Sequence, residues 1–440
     1  MLAIEINDSG IAVASGDEVV LESPGYALLD ENKVIVGEAA YQAACLKPRQ
    51  VNNRFWNNLN VEPLGVSNAL AKTHADLVDA HLKHILRSMA EREVIVTVPG
   101  SLRKEQLGLL LGIGKQQKIP IRGVVDSALS STMDYVTTKS MIHLDIHLHG
   151  CVVSRLEGQW TRQREAVETV SGVGLVSLRD KWIHLIANEF IRLTRFDPLY
   201  RAESEQSLYN RLSGWMHILQ SEKTLELEMR RVDHEFRIGL DRKRWIDAVA
   251  TDYQEITQRI GRLLVEDNPL LAISHRMDLL PGFGETLKEK FPKSEVVVLS
   301  EGAAALGALD YSDQIKQAED AIFFTTRLDS NTRAYVSPQS KINPTHLVHR
   351  GYAYPVGDVA LEISKTKGKI TIIFGKETSS ARFTLGLQEN EIVLKSIDCK
   401  GLEINGMVIT EMAVVSAGDI INFDGEELSL ITVVNQQFIG

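Results

Sequence analysis

Apolar and polar positions change rhythm repeatedly along the chain, and each change predicts an element. LAIEI, IAVAS and EVVLES, separated by Asn-Asp-Ser-Gly and Ser-Gly-Asp, predict a three-stranded meander at the amino terminus. A helical period from Ser67 to about Met89 precedes EVIVTVPG, a β-branched run ended by Pro99-Gly100 that predicts a strand buried on both faces. A helix from Arg103 to about Lys118, the strand IRGVVD and a short helix from Ser127 follow. In MIHLDIHLHG, His143, Asp145, His147 and His149 alternate with Ile142, Leu144, Ile146 and Leu148, as on the two faces of a strand. VVSRLEGQW and REAVETVSG predict a hairpin, and helices are predicted at 178–196, 203–219 and 242–266. LLAIS, a helix at 284–291, EVVVL and SEGAAALGALDY then give a βαβα passage. Residues 1–312 therefore read as α/β. The polar, turn-rich stretch 313–345 reads as a linker or strand-bearing connection, and 346–440, with KITIIF, ARFTLGL, DIINF and LSLITVV at close spacing, reads as a small all-β sandwich.

With 440 residues and 44% apolar content, the chain has material for more than one core. A formal charge of −10 leaves no electrostatic footprint for nucleic acid or an anionic membrane. Cys45, Cys151 and Cys399 show neither zinc spacing nor a disulfide framework. No window approaches the roughly 18 apolar residues of a membrane span, and MLAIEIND enters a strand without a signal-peptide pattern, so a cytoplasmic protein is expected.

The histidine face admits two readings. His143, His147 and His149, with Asp145 as a further ligand, have a spacing that suits one zinc or copper ion. Alternatively the same side chains fill a cleft and bond to Glu5 or Asp126 across it.

Four stretches bear on that choice: SPGYALLDENKVIVGEAAYQAACLKPRQ, VIVTVPGSLRKEQLGLLLGIGKQQKIPIRGVVDSALSS, SGVGLVSLRDKWIHLIANEF and SEGAAALGAL. In this order they resemble the DnaK-type heat-shock chaperone ATPases of the actin-like superfamily. The resemblance covers about residues 1–310 and implies a two-lobed, ribonuclease H-like fold that clamps ATP and magnesium between two glycine-rich turns. It places the first turn at Glu5-Ile6-Asn7-Asp8-Ser9-Gly10 and the second at Asp145-Ile146-His147-Leu148-His149-Gly150. Glu5, Asp126 and Asp145 stand where the family has its catalytic carboxylates; Gly172 and Gly174 survive where the second lobe meets the phosphates.

The departures are severe. Asn7, His147, Leu148 and His149 replace glycines, Asp8 replaces a hydroxyl residue that faces phosphate, and KPRQVNNRFW lacks the phosphate-contacting lysine. His217 and Gln220 replace adenine-contacting residues, and His275-Arg276-Met277-Asp278-Leu279-Leu280-Pro281 keeps little of the adenosine motif. Side chains would occupy the space that phosphate oxygens need.

From 346 onward, AYPVGDVALEI, SSARFTLGLQENEIVLKSI and GLEINGMVITEMAVVSAGDIINFDGEEL resemble a forkhead-associated domain, a β-sandwich that binds phosphothreonine. S4-type RNA-binding modules share the Asn-Gly and Gly-Asp spacing but need helices where this chain has strands. The phosphate-binding positions fall on Asp358, Glu377, Ser380 and Lys400, and the acidic pair among them is unsuited to an anion.

The expectation is a degenerate DnaK-like pseudo-ATPase joined to a degenerate forkhead-associated-like sandwich, serving as a protein-protein adaptor or scaffold through the sandwich and the lobe surfaces. No resident cofactor is expected. The alternatives are a diverged ATPase holding ATP with magnesium, and a metal-binding protein using the His143 to His149 face. The tryptophans Trp182, Trp215 and Trp245 are expected in the core, and Arg242-Lys243-Arg244 on a solvated face.

Overall fold

In a computed structural model of the chain, the meander forms as predicted: Leu2–Glu5 pairs antiparallel with Ile11–Ser15, and that strand with Glu18–Ser23. The structure describes the chain apart from residues 31, 66–67, 88–91, 160, 232–233, 266–267, 316, 319–320, 331–334, 337–342, 358, 367–368, 376–380, 389–390, 398–400, 406, 410–411 and 433–440. It divides into two units, residues 1–331 and 332–440.

The first unit is mixed α/β and holds two six-stranded sheets of similar plan. In the first, Leu2–Glu5 pairs on its other side, in parallel, with Val94–Val98, which leads on to Ile121–Asp126 and Phe324–Thr325. In the second, Met141–Ile146 takes the same central place. It is antiparallel to Gly150–Glu157, which pairs with Thr161–Ser171, and it is parallel to Leu270–Ile273 and then Glu295–Val298. Arg327–Asp329 closes that sheet, so residues 324–329 add one strand to each sheet in turn. The stretch 313–331 therefore belongs to the first unit and is the strand-bearing connection of the two readings: its strands are too short to show a period, and Phe324–Thr325 and Arg327–Asp329 find their partners far earlier in the chain.

The helices are α1 (Glu38–Tyr41), α2 (His74–Ile85), α3 (Lys104–Gln116), α4 (Ser127–Ser130), α5 (Leu175–Thr194), α6 (Ala202–Ile218), α7 (Arg242–Ala248), α8 (Ala250–Leu263), α9 (His275–Asp278), α10 (Phe283–Lys290) and α11 (Ala303–Asp310). α2 begins later than predicted because Thr73 and Asp76 form a capping box there, each side chain bonding the other's backbone N–H. The single helix predicted at 242–266 is two, broken at Val249. Between α6 and α7 the hairpin Thr224–Arg231 with His234–Asp241 is an element the sequence reading omitted.

Each of the two six-stranded sheets of the first unit has a core of its own and forms a lobe; the larger core packs on the second sheet, where Trp182, Trp215 and Trp245 are buried as expected and Trp182 Nε1 donates to the Trp245 carbonyl at 2.9 Å. The Arg242 to Arg244 run is less free than expected: Arg242 pairs with Glu285 at 2.8 Å and Arg244 with the buried Glu189 at 2.5 Å.

Among its described residues the second unit is all-β. One sheet orders Tyr352–Pro355, His346–His349, Glu426–Ile431, Ile420–Phe423, Leu402–Ile404 and Met407–Val408; the other orders Lys369–Phe374, Leu361–Thr366, Phe383–Gln388, Glu391–Ser396 and Met412–Val414. Its core includes Leu361, Phe383, Leu394, Ile421 and Leu430. Asn405, in the left-handed region at φ 52°, donates to Asp419 at 2.8 Å and accepts from the Ile420 N–H at 2.9 Å, so Asn405 and Asp419 meet in one hydrogen-bonded corner. Asp358, Glu377, Ser380, Cys399 and Lys400 lie outside the described residues.

Candidate functional site

Each central strand ends in a turn, and the two turns face each other. Asn7 folds the first: its Oδ1 accepts from the Ser9 N–H at 2.9 Å and the Ser9 hydroxyl at 2.7 Å. Its amide then crosses to the other lobe, donating to Asp145 Oδ2 at 2.7 Å and to the Ile146 carbonyl at 3.1 Å. The Ser9 hydroxyl also reaches the Ile146 carbonyl at 3.2 Å. Asp8 accepts from the Leu148 N–H at 2.7 Å and lies 3.4 Å from His147 Nδ1. The two turns are thus bonded directly to one another.

The second turn is closed from behind as well. Its strand stops at Ile146, and His147 and Gly150 flank a tight connection with a 2.8 Å backbone bond between them. The first N–H groups of a helix normally lack intrahelical partners and favour an anion. Here Leu175 and Val176, at the start of α5, donate to the His147 and Leu148 carbonyls at 2.9 and 3.0 Å, and Gly172 donates to His149 at 3.0 Å. Gly174 is pressed against this turn so closely that a Cβ would sit 2.5 Å from both the Gly150 nitrogen and the Leu148 oxygen. Gly172, at φ 86°, has open space around it and serves the backbone path.

A cation fills the remaining gap. Ser274 caps α9, accepting from the Met277 N–H at 3.3 Å, and this turn aims Arg276 between the lobes. Its guanidinium donates to Glu5 Oε1 at 2.7 Å and to the Gly10 carbonyl at 2.8 Å, with Glu22 at 3.6 Å. Arg276 is 7% exposed, Glu5 4% and Asp145 7%. Burial works against its charge, but Glu5 and Asp145 outweigh burial and hold Arg276 well above the ordinary arginine range. Burial raises the Asp145 carboxyl, yet Arg276, His147 and His143 more than offset this and keep it low. Glu5 is raised by burial, which Arg276 only partly counters while Asp145 adds to it. One guanidinium serves two buried carboxylates. The cavity lined by Glu5, His143, Asp145 and Arg276 is about 10 Å³, room for a single water molecule.

Asp126 does not line that cavity. It caps α4, accepting from the Leu129 N–H at 3.1 Å, and pairs with Arg164 from the second lobe. The carboxylates Glu5 and Asp145 are thus brought together and Asp126 is held apart by its own arginine. The histidines also diverge. His143 is buried, its Nδ1 lacks a partner among the described residues, and burial lowers its pKa to about 4. Burial disfavours charge on His147 as well, but Asp8 outweighs it and raises this pKa. His149 Nε2 lies 3.0 Å from the Asn53 carbonyl. The partners are Asp8 and Asn53, not the expected Glu5 and Asp126. Among the described residues no group of three or more His, Cys, Asp or Glu side chains is arranged to hold a metal ion.

A second, larger cavity of about 400 Å³ opens between the lobes beside Arg276. Ser213 and Met216 of α6 line it, whereas His217 does not, and Gln220 instead donates to the Leu279 carbonyl at 3.0 Å. Sequence reasoning named Arg276 only as a departure from the adenosine motif, not as the partner of Glu5, and did not foresee Arg164 on Asp126 or Arg179 in the wall of the larger cavity. No known family model matches the chain, and no curated protein matches it. No helix among the described residues is long and apolar enough to cross a membrane.

Proposed function

We propose that this chain is a DnaK-like pseudo-ATPase of the actin-like superfamily that works as a protein-protein adaptor or scaffold and does not hydrolyse ATP. The shared strand plan of its two sheets supports the actin-like part of the reading. The observation that carries the loss of catalysis is the direct bonding of Asn7, Ser9 and Asp8 to Asp145, Ile146 and Leu148, with Arg276 seated on Glu5. Phosphoryl transfer needs space for phosphate oxygens, donors that cradle them and a metal to bridge them. Here side chains take the space, the N–H groups of Leu148, Leu175 and Val176 are spent on protein oxygens, and a guanidinium neutralises the carboxylates available to magnesium.

The adaptor role rests on the second unit. Three of its sheet-edge strands expose large apolar side chains, Tyr352 at 71%, Phe374 at 54% and Met412 at 63%, an arrangement suited to pairing with another chain. Calorimetric titration of the full chain with ATP and magnesium tests the first half: no heat of binding is expected, and micromolar affinity that disappears in Asp145→Ala would overturn it in favour of a diverged ATPase. Purification at native expression under non-denaturing conditions tests the second half, where a stoichiometric protein partner is expected and a chain that runs alone removes the proposal.

A further inference from the structure

We infer that the 400 Å³ cavity between the lobes binds a basic amino acid, with the α-carboxylate on Arg179 and the cationic groups among Glu22, Glu38 and Glu301. Its volume lies within the roughly 300–1,000 Å³ of small-molecule sites. The inference concerns a different cavity from the one that Arg276 fills and does not rest on the loss of ATP hydrolysis.

The wall charges select the ligand. Arg276 touches this cavity but is committed to Glu5 and the Gly10 carbonyl. Arg179, on α5, is in no ion pair among the described residues, and its buried Nε has no hydrogen-bond partner there. Its guanidinium lies 5.9 Å over the Tyr41 ring. Arg164 and Arg276 each have a protein carboxylate; Arg179 has none among the described residues, and an unpaired guanidinium in the cavity wall favours a carboxylate brought by a ligand. Glu38 and Glu301 are likewise in no ion pair among the described residues, and Glu22 shares Arg276 only at 3.6 Å.

One unpaired cation therefore faces an excess of carboxylates. A polyanion such as a nucleoside triphosphate is repelled, and a simple amine leaves Arg179 without a partner. A molecule with one carboxylate and two cationic groups complements both. The rings of Tyr26 and Tyr41, edge to face at 5.1 Å, offer an apolar surface for an aliphatic stem. Because Tyr26, Glu38 and Tyr41 come from the first lobe and Arg179 from the second, such a ligand bridges the lobes and favours their closed arrangement.

Calorimetry of the full chain with L-arginine, agmatine and L-glutamate tests this. L-arginine is expected to bind one to one, agmatine, which lacks the carboxylate, at least about tenfold more weakly, and L-glutamate not at all. Arg179→Met should erase the preference for arginine over agmatine, and Glu301→Gln should weaken arginine. Failure of both L-arginine and L-lysine to bind the wild-type chain at about 1 mM, or agmatine binding as tightly as arginine, overturns the inference. ATP binding would remove the pseudo-ATPase proposal and leave this result standing, while failure of the amino acids leaves the ATP result untouched.

Discussion

Replacing Arg276 by methionine isolates the electrostatic role of the plug, because the aliphatic stem is largely kept while the charge is lost. The guanidinium is 7% exposed and bonds Glu5 at 2.7 Å and the Gly10 carbonyl at 2.8 Å, so its removal strands two carboxylates that are 4% and 7% exposed. Breaking a buried pair on one side costs about 3–5 kcal/mol. The relief open to the variant is a proton on one carboxyl, and Glu5, already raised by burial, takes it first. A carboxyl raised in the folded state binds protons more strongly than in the unfolded chain, so the variant should regain stability as pH falls from about 7.5 toward 5. Adding Glu5→Gln to Arg276→Met should recover a large part of the loss at neutral pH, with a coupling of at least about 2 kcal/mol. All five tryptophans lie within the first 245 residues, so urea unfolding of the full chain followed by tryptophan fluorescence reports on the first unit. A single variant within about 1 kcal/mol of wild type, with an unchanged pH profile, would refute the assignment of Arg276 as the buried counter-charge.

Two further outcomes follow from the same unit. His81 Nδ1 accepts from Trp56 Nε1 at 3.0 Å, so its proton lies on Nε2 and donates to Ser23 Oγ at 2.8 Å; burial lowers its pKa to about 3. The unfolded histidine takes up a proton near pH 6.5 and the folded one does not, so this group should cost about 1.4 kcal/mol of stability per pH unit below 6.5. His81→Gln should lose that slope in the fluorescence assay, and identical slopes in the two proteins would exclude the assignment. Gly174→Ala should destabilise by about 2–3 kcal/mol, because its Cβ meets backbone atoms of the histidine turn that cannot turn aside. Gly112→Ala, in open space on the exposed side of α3, should instead stabilise by about 0.5–1 kcal/mol, and equal effects at the two glycines would show that the contact at the turn is unimportant.

What the sequence disclosed was what local period can disclose. The meander, the strand Val94–Val98, α3, α5 and the β-rich final hundred residues each carry their own alternation or helical stripe. The hairpin at 224–241 carried one too, with Leu225, Leu227 and Met229 buried on one face opposite Ile238 and Leu240, and was legible though unread. The histidine strand failed differently. Alternation continues to His149, but the chain turns after Ile146 because the His147 N–H pairs with the Gly150 carbonyl, and a period cannot show where a backbone bond reverses the chain.

The hidden part of the site is ionic and non-local. Glu5 and Arg276 are 271 residues apart, and Asp126 and Arg164 come from different lobes. Charge pairing has no sequence period, so arginines that are unremarkable as letters become decisive only when the fold places them against carboxylates. The side chains standing where the resemblance expects glycines pointed to a filled space; which atoms fill it depends on Asn7, Asp8 and Arg276 reaching across from elsewhere. Asn7 stands where the resemblance to the chaperone ATPases expects a glycine, and its amide donates to the turn after the second central strand. An Asn7→Gly variant would therefore lose both bonds of the amide and leave empty space between the turns, while Arg276 would still neutralise Glu5 and Asp145.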